Sequence, residues 1–354
     1  GELDGLQGLG NGVYDNPKIQ EIGRFVYRAQ IADRYFVNFA DASALVLPSA
    51  SITYLYGKRI GDENLMDIGA WSAQQRKEGE NWSLDGIARA LPAMFAYQEI
   101  LDRPARQPLP RDVWLPEIQV IVARDIEGSP EGLFVTAKGG HNEESHNHND
   151  VGHFIVYVDG KPVIIDPGIE IYTIKTFSPN RYDIWTMQSA YHSLPTIDGV
   201  MQSEGLVHAA RGVVYKQDDA HAVFSADIAD AYPDAAGVAS WVREVTLDRG
   251  KEVRIHDSYV LSRKAGEITL GLVTPRLVIL EDGRIVLTES ELSDGRQSGE
   301  GAVLYNSDLM TASVEEIALE DELMQAMWGA RLSRVVFTVR DPDASGSWTL
   351  RVTR

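Results

Sequence analysis

Residues 154–165 read Phe-Ile-Val-Tyr-Val-Asp-Gly-Lys-Pro-Val-Ile-Ile, and this stretch decides the fold. Its two apolar runs, 154–158 and 162–165, are rich in β-branched and aromatic residues, which favour strands. Asp-Gly between two such runs is a strong signal for a two-residue hairpin turn. The stretch therefore predicts two neighbouring antiparallel strands with a tight turn at Asp159-Gly160.

Similar short strands are predicted through most of the chain after Val113. They lie at 118–122, 133–136, 222–224, 241–247, 253–261, 268–273, 278–280, 285–287, 335–339 and 348–352. No helix of useful length is predicted between them, which favours antiparallel sheets stacked as a sandwich over a parallel α/β fold. The acidic stretch 314–322 is expected to form a solvated helix or loop.

The residues before Val113 are predicted to be helical. Asn16-Pro17 is typical of an N-cap followed by proline at the first helical position. Further helices are predicted over about 50–59, 62–77 and 83–101. These are few helices for a self-contained bundle. The predicted fold class is therefore α+β, with a few N-terminal helices in a helical region at 1–112 and a large antiparallel β-sandwich at 113–354.

Composition excludes several classes of function. A net charge of -19 argues against nucleic-acid binding and against attraction to anionic membranes. No run approaches about 18 consecutive apolar residues, so no membrane insertion is expected, and no signal-peptide pattern opens the chain. With no cysteine in the sequence, any metal must be held by His, Asp or Glu.

Histidine is concentrated in residues 141–153, which read His-Asn-Glu-Glu-Ser-His-Asn-His-Asn-Asp-Val-Gly-His. Four of the eight histidines lie in this stretch, and His192 follows it within about forty residues. Neutral imidazole is the commonest metal ligand and is well suited to proton transfer near neutral pH. The stretch therefore predicts a metal site, a catalytic site or both.

The hairpin suggests which residues form the metal site. It brings the ends of its two strands together, so His148 and Asp166 are predicted neighbours, and His192 can join them from the following loop. Two imidazoles and one carboxylate match the ligand set of many zinc sites. The alternative is a buried His148–Asp166 hydrogen bond without metal.

His146 is predicted to lie near this metal and to point toward a cleft. We interpret it as a catalytic or substrate-orienting histidine; the alternative is a group that only fixes the ligands. His153 begins a strand and is expected simply to pack.

The segment 169–198 is rich in aromatic and basic side chains, which is typical of sugar-contacting loops. The alternative is an ordered loop that covers the sheet.

The chain resembles a known family at this point. Gly139-Gly140-His141, the run 146–152, Asp159-Gly160-Lys161-Pro162 and 165–168 look like the core signature of the heparinase II/III-like polysaccharide lyases. The resemblance extends to the region of Tyr191-His192 and to 36–41, which is expected to be a helix of that family's helical domain.

The resemblance implies a fold, an activity and roles for individual residues. The fold is an (α/α) toroid, of which only the last helices and half of the active site are expected here, followed by a β-sandwich. The activity is β-elimination on an acidic, uronate-containing polysaccharide, in the periplasm of a bacterium or outside the cell. Zinc, held by His148, Asp166 and His192, is implied to be mainly structural.

Proton transfer in the family is shared by a histidine and a tyrosine. His146 matches the histidine, whereas the toroid's tyrosine and asparagine match no position, and Tyr191 is taken as the catalytic tyrosine with Tyr172 as a further candidate. The residues predicted to bind substrate are Asn147, Lys175, Arg181 and Tyr182.

Charge and chemistry leave the substrate and two other functions open. From Lys138 to His192 there are four Lys or Arg and seven Asp or Glu, so this region is not basic. A heavily sulfated chain needs clustered Arg and Lys, so either the substrate is a less charged uronate polymer or the basic half of the cleft lies in the rest of the expected toroid. A metal-dependent glycan hydrolase and a noncatalytic carbohydrate-binding module remain as alternatives. The sequence does not indicate an oligomeric state.

Overall fold

The structure is a computed structural model that describes residues 12–76 and 86–354, and these fall into two compact units. The first unit contains the chain up to Phe36 and the segment Leu45–Pro110. The second contains Val37–Ala44 and Arg111–Arg354.

The first unit is mainly helical. Its helices are α1 (Pro17–Arg28), α2 (Ala50–Ile60), α3 (Glu63–Gln74) and α4 (Ile87–Asp102), and the short strands β1 (Gln30–Ala32) and β2 (Tyr35–Phe36) pair antiparallel. The Asn16 side chain accepts a hydrogen bond from the Lys18 amide, as an N-cap should. All four predicted helices are present; residue 77 and residues 83–85 of two predictions lie outside the described residues.

The second unit is built from three antiparallel sheets and one two-stranded pair. The five-stranded sheet, in the order β3-β4-β5-β7-β8, contains β3 (Asp112–Leu115), β4 (Val120–Arg124), β5 (Leu133–Lys138), β7 (Phe154–Val158) and β8 (Lys161–Ile164). The pair joins β6 (His141–Asn142) to β10 (Gly205–Ala209).

The other two sheets of the second unit have eight and four strands. The eight-stranded sheet, in the order β11-β12-β13-β14-β21-β18-β17-β16, contains β11 (Arg211–Gln217), β12 (His221–Asp227), β13 (Val238–Asp248), β14 (Glu252–Leu261), β16 (Leu277–Glu281), β17 (Arg284–Thr288), β18 (Gly301–Leu304) and β21 (Ser345–Thr353). The four-stranded sheet, β19-β20-β15-β9, contains β9 (Pro195–Ile197), β15 (Ile268–Thr274), β19 (Met310–Ala318) and β20 (Arg331–Val339), and a short helix α5 (Glu322–Trp328) precedes β20.

One continuous apolar core joins these sheets. Phe154 and Val156 of β7 belong to the same buried cluster as Phe224 of β12, Trp241 of β13 and Phe337 of β20. Their burial from water drives the stacking of the layers. The predicted fold class, a few N-terminal helices followed by a large antiparallel β-sandwich, is confirmed.

The hairpin that links β7 and β8 has the predicted turn. Asp159 and Gly160 have φ angles of 50° and 73°, and positive φ at both positions is what a type I′ turn requires. The sheet edge continues beyond this hairpin, because the Ile165 amide donates to the Val273 carbonyl of β15. Asp166 follows directly, and the hairpin therefore delivers it to the end of a buried strand.

Two predictions of local structure are wrong. Residues 36–41 do not form a helix: after β2 the segment is irregular, and its polar side chains Asn38 and Asp41 hydrogen-bond to residues far along the chain. In the acidic stretch 314–322, residues 314–318 belong to β19 instead of a helix or loop, because Glu315 and Glu316 pair with Arg334 and Arg331 of the neighbouring β20.

Candidate active site and metal centre

The three predicted metal ligands lie together. His148, Asp166 and His192 each offer one ligand atom, these atoms lie within 4.8 Å of one another, and all three side chains are fully buried. His148 comes from the loop between β6 and β7, Asp166 follows β8, and His192 follows a 3-10 turn at Ser189–Tyr191. The fold thus brings together residues that are up to 44 positions apart in the sequence.

Their buried polar atoms fit a metal ion better than a hydrogen-bonded pair. Nδ1 of His148, Oδ2 of Asp166 and both ring nitrogens of His192 are buried without a hydrogen-bond partner. Nδ1 of His192 lies 3.3 Å from Oδ2 of Asp166, but its geometry does not make a hydrogen bond. Unpaired buried polar atoms are costly, and a shared cation would satisfy all of them.

The neighbouring imidazoles determine the charge of Asp166. Burial alone would raise the pKa of Asp166, but the neighbouring imidazoles of His192 and His153 outweigh burial and hold this pKa well below its usual range. The carboxyl group is therefore ionised, as a metal ligand must be.

His153 does more than pack at the start of a strand. Its Nδ1 accepts a hydrogen bond of 2.9 Å from the Ser193 amide, so its proton is on Nε2, which lies 3.3 Å from Oδ2 of Asp166. Its ring is 4.9 Å from that of His192, centroid to centroid. Nε2 of His153 is buried without a hydrogen-bond partner, like the ring nitrogens of His192. Sequence reasoning assigned His153 only a packing role, whereas the structure places it against both Asp166 and His192.

A buried arginine from the opposite sheet fixes the backbone at the site. Arg243 of β13 donates to the carbonyls of Gly152 and Ser193, each next to a site histidine, and forms a two-point ion pair of 2.8 and 2.7 Å with Asp257. Both charged side chains are fully buried. Gly152 itself has a φ of 87°, and a Cβ there would lie 2.8 Å from Ile228, so only glycine fits.

A second group of side chains surrounds Asp41; we call it the Asp41 cluster and define it as Asp41, His146, His148, Tyr172 and Arg181. Oδ1 of Asp41 lies 3.0 Å from Nε2 of His148 and accepts a 2.6 Å bond from Arg181. Oδ2 lies 3.0 Å from Nδ1 of His146 and accepts a 3.1 Å bond from the Tyr172 hydroxyl.

These contacts determine the protonation states of Asp41 and Tyr172. Burial raises the pKa of Asp41, but the hydrogen bonds from His148 and Arg181 bring it down to about 2, so the carboxylate is ionised. Burial and this carboxylate raise the pKa of Tyr172, so its phenol stays protonated at neutral pH. The cluster therefore holds a protonated phenol 3.2 Å from Nδ1 of His146.

His146 is placed to act as a base. Its side chain is 52% exposed, and among the described residues only Nδ1 of its ring makes hydrogen bonds. Donation of the Nδ1 proton to Asp41 leaves a lone pair on Nε2, which is the arrangement that activates an imidazole as a general base. His146 itself has a φ of 60°, an unusual value for a non-glycine residue that is often found at functional sites.

Comparison with known proteins gives the family. The model for "Heparinase II/III-like, C-terminal" matches residues 110–339. The chain belongs to this heparinase II/III-like family. No curated protein sequence matches it.

Solved structures of heparinase II/III-like lyases share the fold. The chain is similar to a mutant of the heparan sulfate lyase HepC from Pedobacter heparinus, with a TM-score of 0.65, 14% identity, and coverage of 94% of this chain and 45% of that one. It is similar to heparinase III, with a TM-score of 0.65, 14% identity, and coverage of 95% of this chain and 47% of that one. The chain thus spans less than half the length of these structures.

The structure places the two candidate catalytic tyrosines, Tyr172 and Tyr191, in different surroundings. The ring of Tyr172 lies 6.2 Å from that of His146 in a stacked arrangement, and its hydroxyl reaches Asp41. Tyr191 instead packs edge-on against Trp185 at 5.1 Å, with the Arg334 guanidinium 5.1 Å above its ring. Tyr172 therefore has the better geometry for proton transfer with His146.

The residues predicted to bind substrate differ in how far their side chains are buried and hydrogen-bonded within the protein. Asn147 is buried and bonds to the Tyr182 hydroxyl, and Arg181 is bound to Asp41 and to the carbonyls of Asn147 and Thr176. These two side chains hold the loop in place. Lys175 is 45% exposed and lines a cavity of about 290 Å³ together with Trp185.

Proposed function

We propose that this chain is a polysaccharide lyase, or the C-terminal portion of one, that cleaves a uronate-containing polysaccharide by β-elimination. The observation that carries the proposal is the arrangement at His146: a half-exposed side chain, an Nδ1 held by Asp41, and the Tyr172 phenol 3.2 Å from the same ring. β-Elimination needs a base and an acid side by side, and these two groups supply them.

The chemistry can be assigned to named atoms. Nε2 of His146 takes the proton from C5 of the uronate, and the electron pair left behind forms the C4–C5 double bond. The bond between C4 and the glycosidic oxygen breaks, and the Tyr172 hydroxyl gives its proton to that oxygen. The raised pKa of Tyr172 suits a proton donor rather than a base.

A zinc ion would be held by Nδ1 of His148, a carboxylate oxygen of Asp166 and a ring nitrogen of His192. When bound, it would supply the positive charge that stabilises three buried, unpaired polar groups beside the catalytic histidine. Because all three side chains are fully buried, a structural role fits better than the activation of water in a hydrolase, which requires an open coordination position.

The charge around the site indicates the substrate class. Residues 138–192 contain four Lys or Arg and seven Asp or Glu. The charge of Arg181 is neutralised by its ion pair with Asp41. Lys175 is 45% exposed at the cavity lined by Trp185, but its ammonium group lies 3.9 Å from the Asp183 carboxylate, which lines the same cavity. We propose a polymer of low sulfation, met in the periplasm or outside the cell.

The proposed activity is tested with a panel of uronate polysaccharides of graded sulfation. Ultraviolet absorbance of the unsaturated uronate follows the reaction, and the protein should act on the less sulfated members first. Glycan binding without any unsaturated product would instead indicate a noncatalytic carbohydrate-binding module.

The metal site gives a prediction of its own. About one zinc per chain is expected in wild type by elemental mass spectrometry, and His148→Ala and His192→Ala should both lose it, because each removes one of three protein ligands. His221→Ala is the matched control, since His221 is 44% exposed and its ring lies beside Asp218 and Asp248 rather than at the metal site. Metal retained in both site variants would contradict the ligand assignment.

The choice between the two tyrosines is also testable. Tyr172→Phe is expected to lower kcat by about 100-fold, because it removes one proton-transfer group and keeps the ring. Tyr191→Phe is expected to leave kcat within a factor of about three, since the Tyr191 ring packs against Trp185 and Arg334, away from His146. The reverse result would restore Tyr191 as the catalytic tyrosine and leave Tyr172 as a packing residue.

A further inference from the structure

We propose that Asp41 is a positioning residue that connects the metal ligand His148 to the base His146, so that metal occupancy controls the geometry of proton transfer. The assignment of His146 as a base rests on the proposed function, whereas the link between Asp41 and the metal ligand does not. Asp41 lies 105 residues before His146 in the sequence.

The two oxygens of Asp41 divide the cluster into two sides. Oδ1 holds the metal side, with His148 at 3.0 Å and Arg181 at 2.6 Å. Oδ2 holds the proton-transfer side, with His146 at 3.0 Å and Tyr172 at 3.1 Å. One rigid carboxylate therefore fixes the distance between the two imidazoles.

Asp41 also determines which ring nitrogen each histidine can use. A proton on Nε2 of His148 is donated to Asp41, which leaves the lone pair of Nδ1 for a metal, and this Nδ1 is the buried atom without a partner. In His146 the proton on Nδ1 is donated to Asp41, which leaves the lone pair on the exposed Nε2. Opposite tautomers of the two histidines thus follow from one carboxylate.

Burial and backbone conformation support this role. The Asp41 side chain is only 3% exposed, and so is shielded from water itself, whereas its partners His146 and Tyr172 are about half exposed. Ala40 and His146, which are not glycine, both have a φ of 60°. Left-handed conformations of such residues persist where the surrounding contacts require them, and here they lie beside the two ends of the Asp41–His146 contact.

Asn is the informative replacement, because it keeps the shape of Asp41 and removes its ability to accept hydrogen bonds at both ends. In Asp41→Asn one side of the cluster must face an NH2 group instead of an oxygen. The other side keeps an oxygen, but this oxygen carries no negative charge and accepts hydrogen bonds more weakly. Loss of such a supporting carboxylate typically weakens metal binding about 10- to 100-fold. Tyr172→Phe, which removes a partner of Oδ2 only, should leave metal affinity unchanged.

The test uses zinc affinity and the tautomer of His146, and neither depends on lyase activity. By chelator competition, the zinc Kd of Asp41→Asn should rise about 10- to 100-fold, and that of Tyr172→Phe should equal wild type. By nitrogen-15 NMR of the imidazoles, His146 should carry its proton on Nδ1 in wild type and lose this preference in Asp41→Asn.

A second measurement needs no folded Asp41 variant. Removing zinc from wild type should change the Nδ1 resonance of His146, and Tyr172→Phe should show the same zinc-dependent change. An unchanged zinc Kd and tautomer in Asp41→Asn, or a His146 resonance in wild type that does not respond to zinc, would overturn the proposal. Failure to form unsaturated product, with these results intact, would count against the proposed function alone.

Discussion

His146→Ala is expected to lower the rate of unsaturated-product formation by about 10²- to 10⁴-fold, the usual contribution of a general base. The physical reason is that no other described side chain presents a free imidazole nitrogen at this site. Nδ1 of His148 faces the metal position, and His153 and His192 are fully buried. KM is expected to change much less than kcat, because His146 acts on the transferred proton.

His141→Ala is the matched control for this variant. His141 belongs to the same histidine-rich stretch but not to the Asp41 cluster. Its Nδ1 accepts a hydrogen bond from the Glu143 amide. His141→Ala should keep near wild-type activity, and both variants should keep their zinc. If His146→Ala retained full activity with an intact fold, the role assigned to His146 would be wrong.

Arg243→Met is expected to destabilise the second unit by about 3–5 kcal/mol, the usual cost of leaving one charge of a buried ion pair unpaired. Met has a similar length and keeps the apolar packing of the stem, so the loss reflects the guanidinium. Asp257 would remain fully buried without its two bonds of 2.8 and 2.7 Å, and the carbonyls of Gly152 and Ser193 would lose their donor.

Denaturant unfolding measures this effect, with Arg284→Met as the control. Arg284 is 52% exposed and lies 3.6 Å from Glu281, so its loss should change the free energy of unfolding by less than about 1 kcal/mol. Equal effects of the two substitutions would show that Arg243 does not hold the site. Because Gly152 and Ser193 adjoin His153 and His192, Arg243→Met should also weaken zinc binding.

The β-sandwich was largely predictable from the sequence. Its strands follow from short β-branched and aromatic runs, and the turn at Asp159-Gly160 follows from the preference of Asp-Gly for positive φ. The acidic strand β19 was not predictable from its own residues. It exists because Glu315 and Glu316 find arginines on a strand that comes about fifteen residues later.

The histidine-rich stretch was sufficient to predict that His148 and Asp166 lie together, because a hairpin fixes where Asp166 lies relative to His148. Asp41 was missed, and His153 was assigned only a packing role. The contacts of Asp41 span more than 100 residues, and no local pattern distinguishes it from the other acidic residues. The only signal was the pair of polar residues, Asn38 and Asp41, in an otherwise apolar segment, which we interpreted as a helix.

The contact between Tyr172 and His146 also could not be predicted from the sequence, because it depends on tertiary structure. Both tyrosines lie in the same aromatic segment, and sequence spacing gives no reason to prefer Tyr172 over Tyr191. Only the fold shows that the Tyr172 hydroxyl reaches Asp41 while Tyr191 packs against Trp185.

Product analysis in water enriched in oxygen-18 tests the central claim most directly. The protein is incubated with a uronate polysaccharide of low sulfation, and the oligosaccharides are examined by mass spectrometry. β-Elimination predicts fragments with a C4–C5 double bond, with no added water and no oxygen-18. Fragments that each gain one water and carry oxygen-18 would contradict the account and identify a hydrolase.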